Sequence, residues 1–235
     1  VLKMLSPRFD PVKNSNLTLF DKVDVHESKI PKIATKRLKV PERFRDIIIK
    51  NNNEYLLPVQ YLALRAGVLR GENTLVVSAT GSGKTLIGEL AGVPKAMNGE
   101  KFLFLTPLVA LANQKYREFK KKYEPLGLKV AIKVGRNRIK AKGELKLPDS
   151  NIAKADIVVG TYEGVDFLIR SGKSHLLNDL GLVLIDEIHT ISDEERGLRL
   201  NGLIKRIGHL FPKTQMIGLS ATIKNPKSLA DDFNM

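Results

Sequence analysis

Two short stretches carry side chains that could work together on a nucleotide. The first is ATGSGKT, residues 79–85, which lies between a short apolar run and a helical one. Gly81 and Gly83 let a backbone wrap closely enough to aim its N–H groups at phosphate oxygens. The helix that follows adds the positive end of its dipole. In that setting Lys84 reaches the β- and γ-phosphates and the Thr85 hydroxyl ligates Mg²⁺. The strict phosphate-loop pattern has a glycine where this chain has Ser78. The second stretch is LVLIDEIHT, residues 182–190. Read locally, Asp186 and Glu187 are either the solvated start of a helix or the end of a buried strand. The glycine-rich loop tips the balance. Hydrolysis of a nucleotide needs a second Mg²⁺ anchor and a group that orients the attacking water, and Asp186 suits the first task and Glu187 the second. Two adjacent buried carboxylates are costly without a cation, and Mg²⁺ would supply it.

These residues need a frame that brings them together. From Thr74 onward the chain alternates TLVVS, FLFLT, KVAIKV, DIVVG, GLVLID and QMIGLS with segments of helical periodicity. The latter include TLIGELAGVPKAM, ALANQKYREFKKKY, GVDFLIR and RLNGLIKRIGHLF. Continuous apolar strands alternating with helices predict βαβ units, and so a mostly parallel sheet with helices on both faces. In such α/β sheets ligands bind outside the carboxyl ends of the strands, which is where both stretches fall. Upstream, PERFRDIIIK predicts a short helix, and a second follows Pro58 through VQYLALRAGVLR. Residues 1–40 are basic and proline-punctuated, with one alternating run, LTLFDKVDV, that predicts a strand. They read as an N-terminal extension packed on a main domain spanning 41–235.

Composition narrows the classes. The chain has 235 residues, an ordinary apolar share and a formal net charge of +14. Between Lys115 and Lys146 twelve basic residues face three acidic ones. Such a run is either a solvated helix face with a basic loop or a polyanion-binding surface. There is no cysteine, which excludes disulfides and thiolate metal sites and fits a reducing, cytoplasmic setting. No apolar run reaches the roughly 18 residues that a membrane span needs, and VLKMLSPRFD has no signal-peptide core. The chain opens on Val1, which suggests that it is cut from something longer.

Taken together, these motifs resemble superfamily 2 helicases of the DExH form. ATGSGKT is similar to their motif I, DEIH to motif II and LSAT (residues 219–222) to motif III. LLPVQ resembles the Q motif, TPLVALANQ motif Ia and GTYEGVDFLIR the motif Ib region. The longer texts are most similar to the branch that holds archaeal DNA-fork helicases and exosome- and spliceosome-associated RNA helicases. The resemblance covers roughly residue 41 to the end. It implies a RecA-like P-loop NTPase domain that uses ATP and Mg²⁺.

The resemblance also implies roles. Gln60 would read the adenine edge; Phe44 or Tyr55 is either a stacking partner for adenine or part of the core. Thr80, Gly81, Ser82, Gly83, Lys84 and Thr85 would cradle the phosphates, and Thr85 and Asp186 would hold the metal. Glu187 would activate water. His189 would link the ATP site to Ser220 and Thr222, coupling hydrolysis to strand movement. Pro107, Leu108, Gly160, Thr161 and Glu163 would hold a nucleic-acid backbone, although Thr161 is equally placed to cap a helix. The branch often has an arginine where this chain has Val109, so backbone N–H contacts are expected there instead. Residues 136–146 would form a basic loop near the nucleic acid.

The family places a second RecA-like domain after motif III, supplying arginine fingers in cis. The 235-residue chain alone is therefore expected to be a monomer that binds nucleotide weakly, hydrolyses it very slowly and does not unwind duplexes. Alternatives are an RNA rather than a DNA helicase, a duplex translocase, a nucleic-acid scaffold with weak ATPase, and a small-molecule P-loop kinase. The last does not account for DEIH, LSAT and the basic segment.

Overall fold

Each of the six apolar runs forms a strand in the computed structural model: β1 (Thr74–Val77), β2 (Lys101–Thr106), β3 (Val130–Lys133), β4 (Ile157–Thr161), β5 (Leu180–Ile185) and β6 (Gln215–Ser220). The structure describes residues 30, 32–51, 53–79, 81–135, 149–221 and 225–235, save the side chains of Glu194 and Glu195. The strand expected at 17–25, the basic loop 136–146, Thr80 and Thr222 lie outside these residues. All pairings in the sheet are parallel, in the order β1-β6-β5-β2-β4-β3.

Parallel neighbours cannot be joined by hairpins, so the chain must cross over between strands. Four helices make or contribute to the long crossovers: α3 (Thr85–Met97) from β1 to β2, α4 (Val109–Tyr123) from β2 to β3, α6 (Tyr162–Arg170) from β4 to β5 and α7 (Glu194–Leu210) from β5 to β6. The short α5 (Ser150–Ala153) precedes β4, α8 (Pro226–Phe233) follows β6, and α1 (Glu42–Lys50) and α2 (Pro58–Arg65) precede β1.

Strand side chains alternate between two buried layers. Phe102, Phe104, Leu182, Leu184, Ile217 and Leu219 pack with residues of α1 to α4, among them Phe44, Ile87 and Phe119. Leu103, Leu105, Val183 and Ile185 pack on the other face with Leu168, Leu203, Ile207 and Phe233 of α6, α7 and α8. Both faces of β2 and β5 are thus covered, which is why these strands read as unbroken apolar runs.

The chain from Lys32 onward forms one compact unit. Residues 32–40 are tied into it: Thr35 N–H donates to Glu54 O (2.8 Å), Leu56 N–H donates to Ile33 O (2.9 Å), and Leu38 is buried. Departures from the expected helices have local reasons. The second helix stops at Arg65; the chain turns at Gly67 (φ 105°) into a short 3₁₀ turn, Val68–Arg70. The α6 helix starts at Tyr162, ahead of its apolar periodicity, because the Thr161 hydroxyl accepts the Gly164 N–H (3.1 Å) as an N-cap. The α8 helix was not expected at all. It has Asn225 as its cap and Pro226 at its first position, signals that its short apolar pattern obscured. None of the described helices is long and apolar enough to cross a membrane.

Candidate nucleotide and nucleic-acid site

The carboxyl ends of β1, β6 and β5 lie side by side and deliver the phosphate loop, Ser220 and the Asp186–Glu187 pair to one edge of the sheet. The ladder between β1 and β6 continues one step past the strand, where Ser78 N–H donates to Ser220 O (3.2 Å). The loop therefore starts fixed to the strand that carries the LSAT motif, and the position where the strict pattern has glycine is a ladder residue. Beyond it, Gly81 and Gly83 both adopt left-handed backbone conformations, with φ 80° and 78°. The Lys84 ammonium lies across the loop, donating to Ser78 O (2.5 Å) and Ala79 O (2.8 Å). Thr85 opens α3. The Ser82 hydroxyl is buried and makes no hydrogen bond among the described residues.

Gln60 does not stand open at the loop. It is 1% exposed; its Oε1 accepts Leu57 N–H (2.8 Å) and its Nε2 donates to Gly83 O (3.0 Å). The expected adenine reader is thus already a brace of the phosphate loop. Phe44 is fully buried with its ring 6.0 Å from that of Tyr123; of its two readings, stacking partner or core, it is core. Tyr55 is exposed.

Asp186 directly follows β5, and its N–H donates to Leu105 O of β2 (2.8 Å). Asp186 thus continues directly from a buried strand, and Glu187 is the N-cap position of the short 3₁₀ turn Ile188–Ser192 that follows. Burial pushes the Asp186 carboxyl up to about 6, and the neighbouring Glu187 charge adds to the rise. Lys115, the Glu187 backbone N–H and Lys84 pull the other way. Glu187 itself adopts φ 57°, ψ 41°, a left-handed conformation that costs a residue with a Cβ roughly 1–2 kcal/mol. Its carbonyl accepts both the N–H and the hydroxyl of Thr190, each at 3.0 Å. His189 Nδ1 lies 3.2 Å from Glu187 Oε2 but without hydrogen-bond geometry. Ser220 Oγ, at the end of the adjacent strand, is buried and makes no hydrogen bond among the described residues.

The carboxyl ends of β2 and β4 form the other half of the same edge. There a cavity of about 850 Å³ is lined by Pro107, Thr161, Glu163, Phe167, Arg170 and Arg199, among others. It brings together three of the five residues expected to hold nucleic acid. Leu108 is exposed as the N-cap residue of α4, which has no side-chain cap. Gly160 is buried, and a Cβ there would come 2.5 Å from Val165 Cγ2 and 3.3 Å from Lys133 O. That glycine is explained by packing of β4 under α6. The two arginines are exposed; Arg170 sits 3.7 Å from Asp166, which also receives a hydrogen bond from Arg206.

Residues 57–229 match the DEAD/DEAH box helicase family, a span that holds Gln60, the phosphate loop, the Asp186–Glu187 pair and the cavity residues. The chain belongs to that family. This helicase-family chain is 50% identical over 236 aligned positions to the Probable ATP-dependent helicase MJ1401 of Methanocaldococcus jannaschii, covering 100% of this chain and 28% of that protein. It is 42% identical to the ATP-dependent DNA helicase Hel308 of Pyrococcus abyssi, covering 84% of this chain and 26% of that protein. The helicase-family chain therefore spans about a quarter of the length of these curated relatives. Among solved structures, that of the DUF1998 helicase MrfA bound to DNA and AMPPNP matches with a TM-score of 0.71 at 24% identity, over 87% of this chain and 29% of that one. At that identity the likeness speaks for the fold, an α/β domain of RecA-like type.

Several contributors escaped the sequence reading. Lys115 acts on Asp186 from α4, a long-range approach that no local pattern announces. Phe167 and Arg170 lie on the same face of α6 as Glu163, at spacings of four and seven, which a helical wheel drawn from Tyr162 would have revealed. Arg199 comes from a distant helix.

Proposed function

We propose that this chain is the ATP-binding motor domain of an ATP-dependent nucleic-acid helicase, with DNA the favoured substrate. The observation that carries the reading is the convergence of a glycine-rich loop, the Asp186–Glu187 pair and a cavity of about 850 Å³ on one edge of one parallel sheet. The names of the relatives support it: Hel308 is called an ATP-dependent DNA helicase.

In this reading the loop amides of residues 80–85 and the Lys84 ammonium bind the triphosphate. Lys84 would exchange the Ser78 and Ala79 carbonyls for phosphate oxygens. The residues present fit a magnesium ion. Asp186 is a half-buried carboxylate held near 6 beside a second carboxylate, an arrangement that a cation relieves. Among the described residues no group of three or more acidic, histidine or cysteine side chains could cage a metal. That suits Mg²⁺, which takes one or two protein ligands and completes its shell with phosphate and water. Asp186 and the Thr85 hydroxyl would hold it. Bound there, the ion would neutralise charge developing on the phosphates. Glu187, fixed by its turn, would orient the attacking water. His189 and Ser220 would carry the state of the nucleotide to the strand that bears the LSAT motif.

On the other half of the edge, Arg170, Arg199 and the uncapped N-terminal amides of α4 would hold a sugar–phosphate backbone. Both DNA and RNA offer that backbone.

The test uses the full-length protein, assayed for ATPase with single-stranded DNA, duplex DNA and RNA as competing stimulators. Glu187→Gln should abolish turnover while ATP still binds. Unchanged turnover in that variant would rule out the assigned role. Purified alone, the 235-residue chain is expected to turn over ATP very slowly, and robust nucleic-acid-stimulated activity would refute that expectation.

A further inference from the structure

The two halves of the edge are joined by one buried side chain that the motor reading leaves unassigned. Tyr162 is the first residue of α6, directly after the Thr161 cap that lines the cavity and directly before Glu163. It is 4% exposed. Its hydroxyl donates to the carbonyl oxygen of Asp186. To do so it spans the end of β2, since β4 pairs with β2 and β2 with β5.

The carbonyl it holds is not an arbitrary one. It belongs to the peptide joining Asp186 to Glu187. The Asp186 N–H is already fixed to Leu105 O (2.8 Å), so Asp186 is held at its amide by β2 and at its carbonyl by Tyr162. The plane of that peptide sets φ of Glu187, which stands at 57° in the left-handed region. Such a conformation persists only where surrounding contacts impose it. On its far side Glu187 is held by Thr190, through both N–H and hydroxyl. On its near side the constraint is the phenol of a residue in the strand-facing cap.

We infer that Tyr162 is a positioning residue that couples strand contact at the Thr161–Glu163 turn to the orientation of Glu187. A shift of the α6 N-terminus, as when a backbone seats against Thr161 and Glu163, moves the phenol. The phenol moves the Asp186–Glu187 peptide, and the peptide turns the water-orienting carboxylate. The hydroxyl is spent on a backbone carbonyl, so its role is in the geometry of the carboxylate rather than in binding.

The inference rests on the motor reading, and the experiment separates the two. Full-length protein and its Tyr162→Phe variant are compared for ATPase with and without single-stranded DNA, each at the same interval below its own melting temperature. Removing the single oxygen should lower the DNA-stimulated kcat about 10–100-fold, the scale of a misplaced catalytic group. The KM for ATP and the DNA affinity should stay within about twofold, the pattern of a lost transition-state contribution. The basal rate, which does not depend on strand contact, should fall less than the stimulated one, so the ratio of stimulated to basal rate should collapse. A merely structural tyrosine would lower the melting temperature and leave that ratio intact, and an intact ratio overturns the inference while the motor reading stands. If the parent protein shows no stimulation by any nucleic acid, the motor reading itself fails.

Discussion

The brace between Gln60 and the phosphate loop can be measured by comparing two glycines. Gly81 and Gly83 have nearly the same backbone, φ 80° and 78°. Alanine at either must adopt a left-handed conformation, at roughly 1–2 kcal/mol. Their surroundings differ. A Cβ on Gly81 meets nothing within 4 Å, whereas one on Gly83 would lie 2.7 Å from Gln60 Nε2 and 2.7 Å from Leu57 Cδ1. Gln60 can retreat only by giving up its bonds to Gly83 O and Leu57 N–H, in a site where it is 1% exposed. Leaving such buried groups unpaired costs a further ~1–3 kcal/mol. If nucleotide binding needs this loop shape, Gly81→Ala weakens a fluorescent ATP analogue about 5–30-fold, and Gly83→Ala weakens it roughly 30-fold or more. Both are read by titration in the presence of Mg²⁺. Combining Gly83→Ala with Gln60→Ala should be non-additive by ~1 kcal/mol or more, because the collision has lost its partner. Equal losses at the two glycines, together with an additive double variant, would refute the brace.

Two further outcomes follow from the same edge. Because Asp186 is raised from 3.8 to about 6 in the fold, the folded state favours its protonated form. With magnesium chelated, its contribution to stability is full below the unfolded value near 4 and is lost as pH rises through about 6, a swing of ~1–3 kcal/mol. The melting-temperature gain of Asp186→Asn over the parent should therefore grow from pH 4 to 7; a gain that is flat across that range would contradict the assigned burial. In the strand cavity, Arg170→Ala and Arg199→Ala in the full-length protein should each weaken single-stranded DNA and reduce the slope of log K against log salt by about 0.7; an unchanged slope would remove that arginine from the backbone contacts.

The sequence made the sheet legible because parallel strands buried on both faces need unbroken apolar runs, and six such runs stood between helical ones. The phosphate loop and the acid pair were legible because their chemistry demands fixed residue types close together in the chain. What escaped depended on distance. Gln60 reaches Gly83 across 23 positions, and nothing in LLPVQ says that its amide is occupied by backbone. Tyr162 was in plain view within GTYEGVDFLIR, yet its importance lies in a carbonyl 24 positions away. Phe44 was left open between ligand and core because an aromatic residue near a nucleotide motif reads the same whether it faces the ligand or, as here, Tyr123. Gly160 entered through its place in the motif Ib text, and nothing local says that a Cβ there would lie 2.5 Å from Val165 Cγ2.

The position of β5 has a consequence for how the molecule opens. It lies inside the sheet between β6 and β2, with every residue from Leu180 to Ile185 buried. Backbone amides in such a strand exchange with solvent only when the whole domain unfolds, whereas peripheral elements open in smaller units at lower free energy. The short edge strand β3 is such an element. Asp186 and Glu187 therefore hang from the segment that should be last to release its protons to deuterium. Local breathing at the margins can proceed, turn after turn, without disturbing the carboxylates at its centre.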